Sequence, residues 1–252
     1  MSMAILTDIT KCIGCFECVA ACKTVNGHEA DKPYVFHIND GLSAHNWTSI
    51  VQKPDKHFVR KQCRHCLDPA CASACPVAAL HQTSEGIVIY ESHKCIGCRY
   101  CMIACPFGIP RYDWDKPVPY VQKCNMCYEL VKHGKQPACT AACPTQATIF
   151  GERKELIAEA HRRIEEIPGK YINKVFGEFE VGGTSVLYIS DIDLGFLSYV
   201  VIPGTKALPK TTATAMEAVL PTFFGVGAVM GGLHWLVRRR QKLQRENEGS
   251  EG

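Results

Sequence analysis

Residues 95–106 read CIGCRYCMIACP, and this stretch decides the fold. Cys95, Cys98 and Cys101 crowd into seven residues, Cys105 follows after three more, and Pro106 comes next. Residues 12–22, CIGCFECVAAC, repeat that spacing with Cys12, Cys15, Cys18 and Cys22. Residues 63–76, CRHCLDPACASACP, place Cys63, Cys66, Cys71 and Cys75 with the second gap widened to four residues. Residues 124–144, with Cys124, Cys127, Cys139 and Cys143, widen it to eleven and again end in proline. Four variants of one pattern make an internal repeat. All 16 cysteines of the 252 residues belong to it, and none follows Cys143.

A chain of this length can bury a core without disulfide staples. Charged residues at 21% and aromatics at 9% are the composition of a folded protein, not a disordered one. The net charge of +3 is too small to indicate a nucleic-acid partner. The start, MSMAILTDITKCIGC, lacks the basic segment and long apolar run of a secretory signal, and no twin arginine precedes Cys12, which by itself points to the cytosol.

Three chemistries compete for the cysteines. Disulfides fit an even count, but bridging within a C-x2-C pair is strained and eight bridges before residue 144 would be excessive. Zinc favours two C-x2-C pairs with a long spacer, not three thiols in seven residues. The run C-x2-C-x2-C-x3-C-P is the bacterial ferredoxin pattern, in which three close thiolates and a fourth from elsewhere hold iron–sulfur cubanes. Soft thiolates suit that demand, and sixteen of them close on four [4Fe–4S] clusters with none left over. Four such anions would carry the charge from +3 to roughly −5, which makes a basic nucleic-acid reader still less apt. Lys11, Lys61, Arg64, Lys94 and Lys123 lie near the cysteines and either offset that charge or sit on solvated surface. His65 is read as a neighbour of the ligands or a surface residue. Tyr112, Trp114 and Tyr120 are read as packing beside the third motif.

The connectors suit a small α+β fold. Each run after a Cys-Pro, and EGIVIY at 85–90, is placed to form a strand, and TSVLYIS at 184–190 reads as another. ERKELIAEAHRRIEEIPG, 152–169, carries an apolar stripe of Leu156, Ile157, Ala160, Ile164 and Ile167 and stops at Pro168-Gly169, so it predicts a helix. Residues 31–60 read as an insertion loop and 191–212 as an extended linker. Ala218–Val237 is free of formal charge and, at about 1.5 Å per residue, spans roughly 30 Å as a helix, the hydrocarbon thickness of a bilayer. Arg238, Arg239, Arg240, Lys242 and Arg245 follow it, which puts the C-terminus in the cytoplasm and the cysteine region outside. Gly227 and Gly231 form a GxxxG that suits close helix packing, and His234 is read as interfacial or as facing a neighbour's quinone or haem site. No nucleophile–base pair, phosphate loop or carboxylate pair is evident.

These motifs, with KQCRHCLDPAC, QKCNMCYEL, ACTAACPTQATIFG and VGGTSVLYIS, resemble the four-cluster iron–sulfur subunits of complex iron–sulfur molybdoenzymes and allied hydrogenases. The resemblance covers nearly the whole chain. It is closest to the respiratory formate dehydrogenase beta subunit and the hydrogenase-2-type ferredoxin subunit, each with a C-terminal anchor. The absence of a twin-arginine signal leans toward the formate type.

The resemblance implies an α+β fold of two ferredoxin-like units related by a pseudo-twofold axis, holding four [4Fe–4S] clusters, plus one C-terminal transmembrane helix. It implies a ligand exchange between motifs. Cys12, Cys15, Cys18 and Cys143 would hold one cluster, and Cys22, Cys124, Cys127 and Cys139 another. Cys63, Cys66, Cys71 and Cys105 would hold a third, and Cys75, Cys95, Cys98 and Cys101 the fourth. The expected domains are 1–150 (with 31–60 inserted), a wrapping segment 151–212, a transmembrane helix 213–237 and a tail 238–252. The implied role is non-catalytic electron transfer from a molybdopterin formate dehydrogenase or nickel–iron hydrogenase subunit to a membrane cytochrome b or quinone-site subunit. The alternatives are relay from quinol to a terminal reductase, and, in another class, a thiol-rich module holding zinc or disulfides.

Overall fold

In the computed structural model the described residues are 2–29, 40–53, 57–117, 120–197 and 204–248. They fall into two units, Met1–Pro209 and Lys210–Gly252. The first is organised by a three-stranded sheet in the order β8-β1-β9, formed by Thr148–Glu152, Met3–Asp8 and Val186–Ile189. The central β1 runs antiparallel to β8 and parallel to β9. Both β1 and β9 are buried on both faces, which is why their stretches MAIL and VLYI are apolar runs rather than alternations.

Strand period sends successive side chains to opposite sides of this sheet. Ala4, Leu6, Leu187 and Ile189 face α6 (Arg153–Glu166), where Leu156, Ala160 and Ile164 cover them. Ile5, Val186 and Tyr188 face the other way, into a layer with Val59, Met126 and Cys139. Cys139 and Cys18 lie on that second side. The stripe expected of 152–169 is therefore the buried one, except that Ile167 closes the helix as an exposed C-cap residue. Leu156→Ala would leave a void between α6 and β1. We expect it to cost about 2–4 kcal/mol and to lower the melting temperature of the iron-loaded protein by circular dichroism, with the visible spectrum unchanged.

Three two-stranded ladders complete this unit: β2 (Thr48–Lys53) with β3 (His57–Gln62), β4 (Leu80–Gln82) with β5 (Val88–Tyr90), and β6 (Arg111–Tyr112) with β7 (Val121–Gln122). The first corrects the reading of 31–60 as a loop: its second half is one strand and most of another. Thr48 to Val51 are buried on both faces, so the period-2 signal that marks a half-buried strand is missing. The expected part of that segment at 30–39 lies outside the described residues. Short helices carry the third cysteine of each motif: α1 (Glu17–Val25), α2 (Ala70–Ser73), α3 (Tyr100–Ala104) and α5 (Ala138–Ala141), while α4 (Tyr128–Lys132) follows Cys127. Helix α1 packs on α5, and α2 on α3.

The last helix, α7, runs from Leu208 to Glu248, so it starts inside the expected linker and continues through the expected tail. Pro209 sits in its first turn, where a fixed φ and a missing N–H are harmless. The Arg, Lys, Gln, Leu and Glu of the tail are good helix formers. Its Leu208–Leu243 portion is long and apolar enough to cross a membrane, and none of the apolar window is buried in the protein.

Candidate metal centres

Each motif wraps its cysteines by the same backbone device. Gly14 and Gly97, at matching places in the two CIGC loops, have φ of 67° and 71°, and the residues after Cys15 and Cys98, Phe16 and Arg99, both have φ of 65°. In the other two motifs His65 and Met126 take the left-handed conformation two residues after the first cysteine. A third repeat follows the Cys-Pro steps, where Ala78, Gly108 and Gln146 again have positive φ. Only glycine adopts this region without cost, so the side chains at Phe16, His65, Arg99 and Met126 mark backbone held in place by its surroundings. Such turns aim successive N–H groups inward, a concavity suited to anions and iron–sulfur sulfur atoms. The N–H of Gly97 donates to Cys95 Sγ (3.4 Å), that of Met126 to Cys124 Sγ (3.3 Å) and that of Ile109 to Cys105 Sγ (3.5 Å). Asp8, fully buried, anchors the entry to the first motif. It accepts from the Thr10 backbone (3.1 Å) and hydroxyl (2.7 Å) and from the Tyr171 hydroxyl (3.0 Å).

None of the sixteen cysteines is paired in a disulfide. One cavity is lined by Cys12, Cys15, Cys18 and Cys143 together with Arg60. A second is lined by Cys75, Cys95, Cys98 and Cys101. The remaining eight group through their electrostatic neighbours. Cys66 lies beside Cys63, Cys105 and Cys71, and Cys22 beside Cys139 and Cys127, with Cys124 next to Cys22 and Cys139. The groups are also electrostatic neighbours in series. Cys101 is a neighbour of Cys71, Cys63 of Cys124, and Cys139 of Cys18. At the two ends of that series Cys15 and Cys98 are exposed, whereas Cys63, Cys124, Cys139 and Cys22 are buried.

Burial governs the free thiols. It pushes Cys18, Cys22 and Cys71 up to about 12 and Cys101 to about 11, and it holds Cys66 and Cys124 well above the usual thiol value. Cys143 goes the other way: burial raises it, but N–H groups of Thr148 and Ala147 and the Thr145 hydroxyl outweigh burial and hold it low. Burial disfavours the charged thiolate at these positions, so a cation that binds there must displace the thiol proton. Soft thiolates, converging in fours and met by N–H donors, fit iron–sulfur clusters.

Of the cations singled out by proximity, Lys61, Arg64 and Lys123 are buried, whereas Lys11 and Lys94 are exposed. Lys61 pairs with Asp40 at 3.1 Å. The Lys123 ammonium donates to the Val88 and Cys124 carbonyls (2.5 and 2.8 Å). Arg64 stacks over Phe107 and Tyr188. Arg60, which spacing did not single out, is only 2% exposed and lies against Cys18 and Cys139. The available signal was an arginine inside the strand HFVRKQ that leads straight into Cys63. His65 is wholly buried and its Nδ1 accepts the Val88 N–H at 3.1 Å, so it braces β5. Tyr112 is buried, with its hydroxyl donating to the Gly97 carbonyl (3.1 Å), while Trp114 is exposed beside it. Gly227, Gly231 and His234 lie on exposed α7. Spacing gave the histidines no metal role. In space His45, Asp113 and Asp115 bring ligand atoms within 4.8 Å of one another, with Lys116 paired to Asp113 at 2.8 Å.

Comparison with known proteins gives the class first: residues 54–153 match the 4Fe-4S dicluster domain family. Over 99% of this chain and 88% of the relative's length, it is 35% identical to the hydrogenase-2 operon protein HybA of Escherichia coli O157:H7. It is 38% identical to the iron-sulfur subunit of the nitrate-inducible formate dehydrogenase of Escherichia coli K12, over 74% of this chain and 67% of that subunit. A protein of Nitratidesulfovibrio vulgaris is 38% identical over 98% of this chain and 70% of its own length. The chain therefore belongs to the family of iron–sulfur electron-transfer subunits that includes HybA and the formate dehydrogenase iron–sulfur subunits.

Proposed function

We propose that this chain is the relay subunit of a membrane-bound oxidoreductase, holding four [4Fe–4S] clusters in two ferredoxin-like units. Cys12, Cys15, Cys18 and Cys143 hold one cluster, and Cys22, Cys124, Cys127 and Cys139 the next. Cys63, Cys66, Cys71 and Cys105 hold the third, and Cys75, Cys95, Cys98 and Cys101 the last. The observation that supports this reading is that two cavities are each lined by four cysteines, one exposed in each, and that the other eight are electrostatic neighbours of one another. Bound there, the clusters take up and give up single electrons. The protein's part is to keep the sites adjacent and dry, because electron tunnelling falls steeply with distance.

The donor is a catalytic subunit that oxidises hydrogen or formate, and the acceptor is a membrane cytochrome b or quinone-site subunit. The reach of the match favours hydrogen, since likeness to HybA extends over almost the whole chain and likeness to the formate dehydrogenase subunit over three-quarters of it. That pulls against the lean toward formate taken from the start of the sequence. Helix α7 spans the membrane with its arginine-rich end in the cytoplasm and the cysteine unit on the opposite side.

The test is to purify the intact complex anaerobically and offer hydrogen or formate while following the broad visible absorption of this subunit. Bleaching by one of the two, passed on to an added quinone, is the expected result. Bleaching by quinol alone would reverse the direction. A colourless protein containing zinc would end the iron–sulfur reading.

A further inference from the structure

We propose, resting on the four-cluster reading above, that Arg60 is the shared counter-cation of two adjoining cluster sites and raises the reduction potential of both. The sites are the one formed by Cys12, Cys15, Cys18 and Cys143 and the one formed by Cys22, Cys124, Cys127 and Cys139. Arg60 projects from β3 into the cavity lined by the first four cysteines, and Cys139 of the second four is its other close sulfur neighbour.

Its surroundings are unusual for a buried arginine. The guanidinium donates a hydrogen bond to the Cys139 thiol, and Nη2 donates to the Thr148 hydroxyl at 3.1 Å, while among the described residues Nε and Nη1 have no hydrogen-bond partner. Among the described residues no carboxylate forms an ion pair with it. Arg64 also leaves two nitrogens without hydrogen bonds, but it lies over two aromatic rings. A guanidinium cannot shed its proton, so burial without an anion is costly. The anions within reach of Arg60 are the thiolates of these two sites once iron holds them deprotonated. A buried cation fixed in that position belongs to the loaded state.

The electrostatic consequence follows from charge balance. One electron entering either site adds one negative charge and breaks no bond. A permanent positive charge beside it, in a poorly screened interior, stabilises the reduced form over the oxidised one. One side chain thereby tunes two consecutive stations of the relay. The neutral Thr148 hydroxyl holds it in place without cancelling its charge.

The experiment is a dithionite-driven potentiometric titration of the complete complex, followed by electron paramagnetic resonance, in wild type, Arg60→Gln and Arg60→Lys. In wild type, four resolvable reduction steps test the underlying four-cluster reading on their own. In Arg60→Gln two of the four steps are expected to become at least tenfold less favourable, which for one electron is about 59 mV, while the other two stay put. Arg60→Lys, which keeps the charge and loses the fork, is expected to restore most of the shift. Selective loss of iron from two sites in Arg60→Gln, restored by lysine, also supports the proposal. Four unchanged steps in an iron-replete Arg60→Gln protein would overturn it. So would equal shifts in the glutamine and lysine variants, or loss of iron from all sites in both, since either would make Arg60 a merely structural residue.

Discussion

Removing the iron from the purified protein under anaerobic, reducing conditions is expected to abolish its cooperative thermal transition and its near-ultraviolet circular dichroism. The cysteine loops hold Phe16, His65, Arg99, Met126 and Cys127 in left-handed backbone. At about 1 kcal/mol or more each, these five cost roughly 5 kcal/mol, which is on the scale of a whole domain's net stability. Arg60 adds a buried cation with no carboxylate partner among the described residues. Burial disfavours the thiolate form of Cys18, Cys22 and Cys124, so without iron these sulfurs are poor counter-anions for it. The layer of α6 on β1 and β9 is built without cysteine, so part of the far-ultraviolet signal is expected to survive. An apo protein that melts as sharply as the loaded one, at a similar temperature, would show that the loops are stable by themselves.

The second large effect concerns α7. A chain ending after Pro209, expressed without partner subunits, is expected to move almost entirely from the carbonate-washed membrane fraction to the soluble fraction, while keeping its colour. The run 218–237 has about 20 uncharged residues, each Leu, Val or Phe contributing favourably to insertion, and Pro221 within it is no bar to a membrane helix. The unit Met1–Pro209 has its own sheet and its own buried clusters, so it does not need the helix for a core. A truncated chain that still sedimented with membranes would place the attachment elsewhere.

The sequence disclosed the parts of this molecule that are local. The spacing of Cys95, Cys98 and Cys101 constrains a loop of seven residues, and the left-handed turn at Gly97 is the shape such a loop takes. The stripe of α6 is likewise a one-dimensional pattern, and three of its residues are buried where the period puts them. What depends on contacts between distant segments was hidden. Strand β2 escaped because it is covered on both faces and shows no alternation. Helix α7 extends beyond the expected 213–237 at both ends, because a proline in a first turn and a charged tail look like interruptions, yet neither stops a helix. Arg60 was overlooked because its meaning depends on Thr148 and Cys139, about eighty positions away. Family resemblance, not spacing, supplied the exchange of cysteines between motifs.

The central claim is that the sixteen thiols assemble into four cubanes. Its most direct test is the iron and acid-labile sulfide content of anaerobically purified protein, with spin-quantified paramagnetic resonance after full reduction. The account predicts about sixteen irons and as many sulfides per chain, with a reduced spectrum that integrates to about four spins. About eight irons with half the cysteines still reactive toward a thiol reagent, or zinc in place of iron, would contradict it.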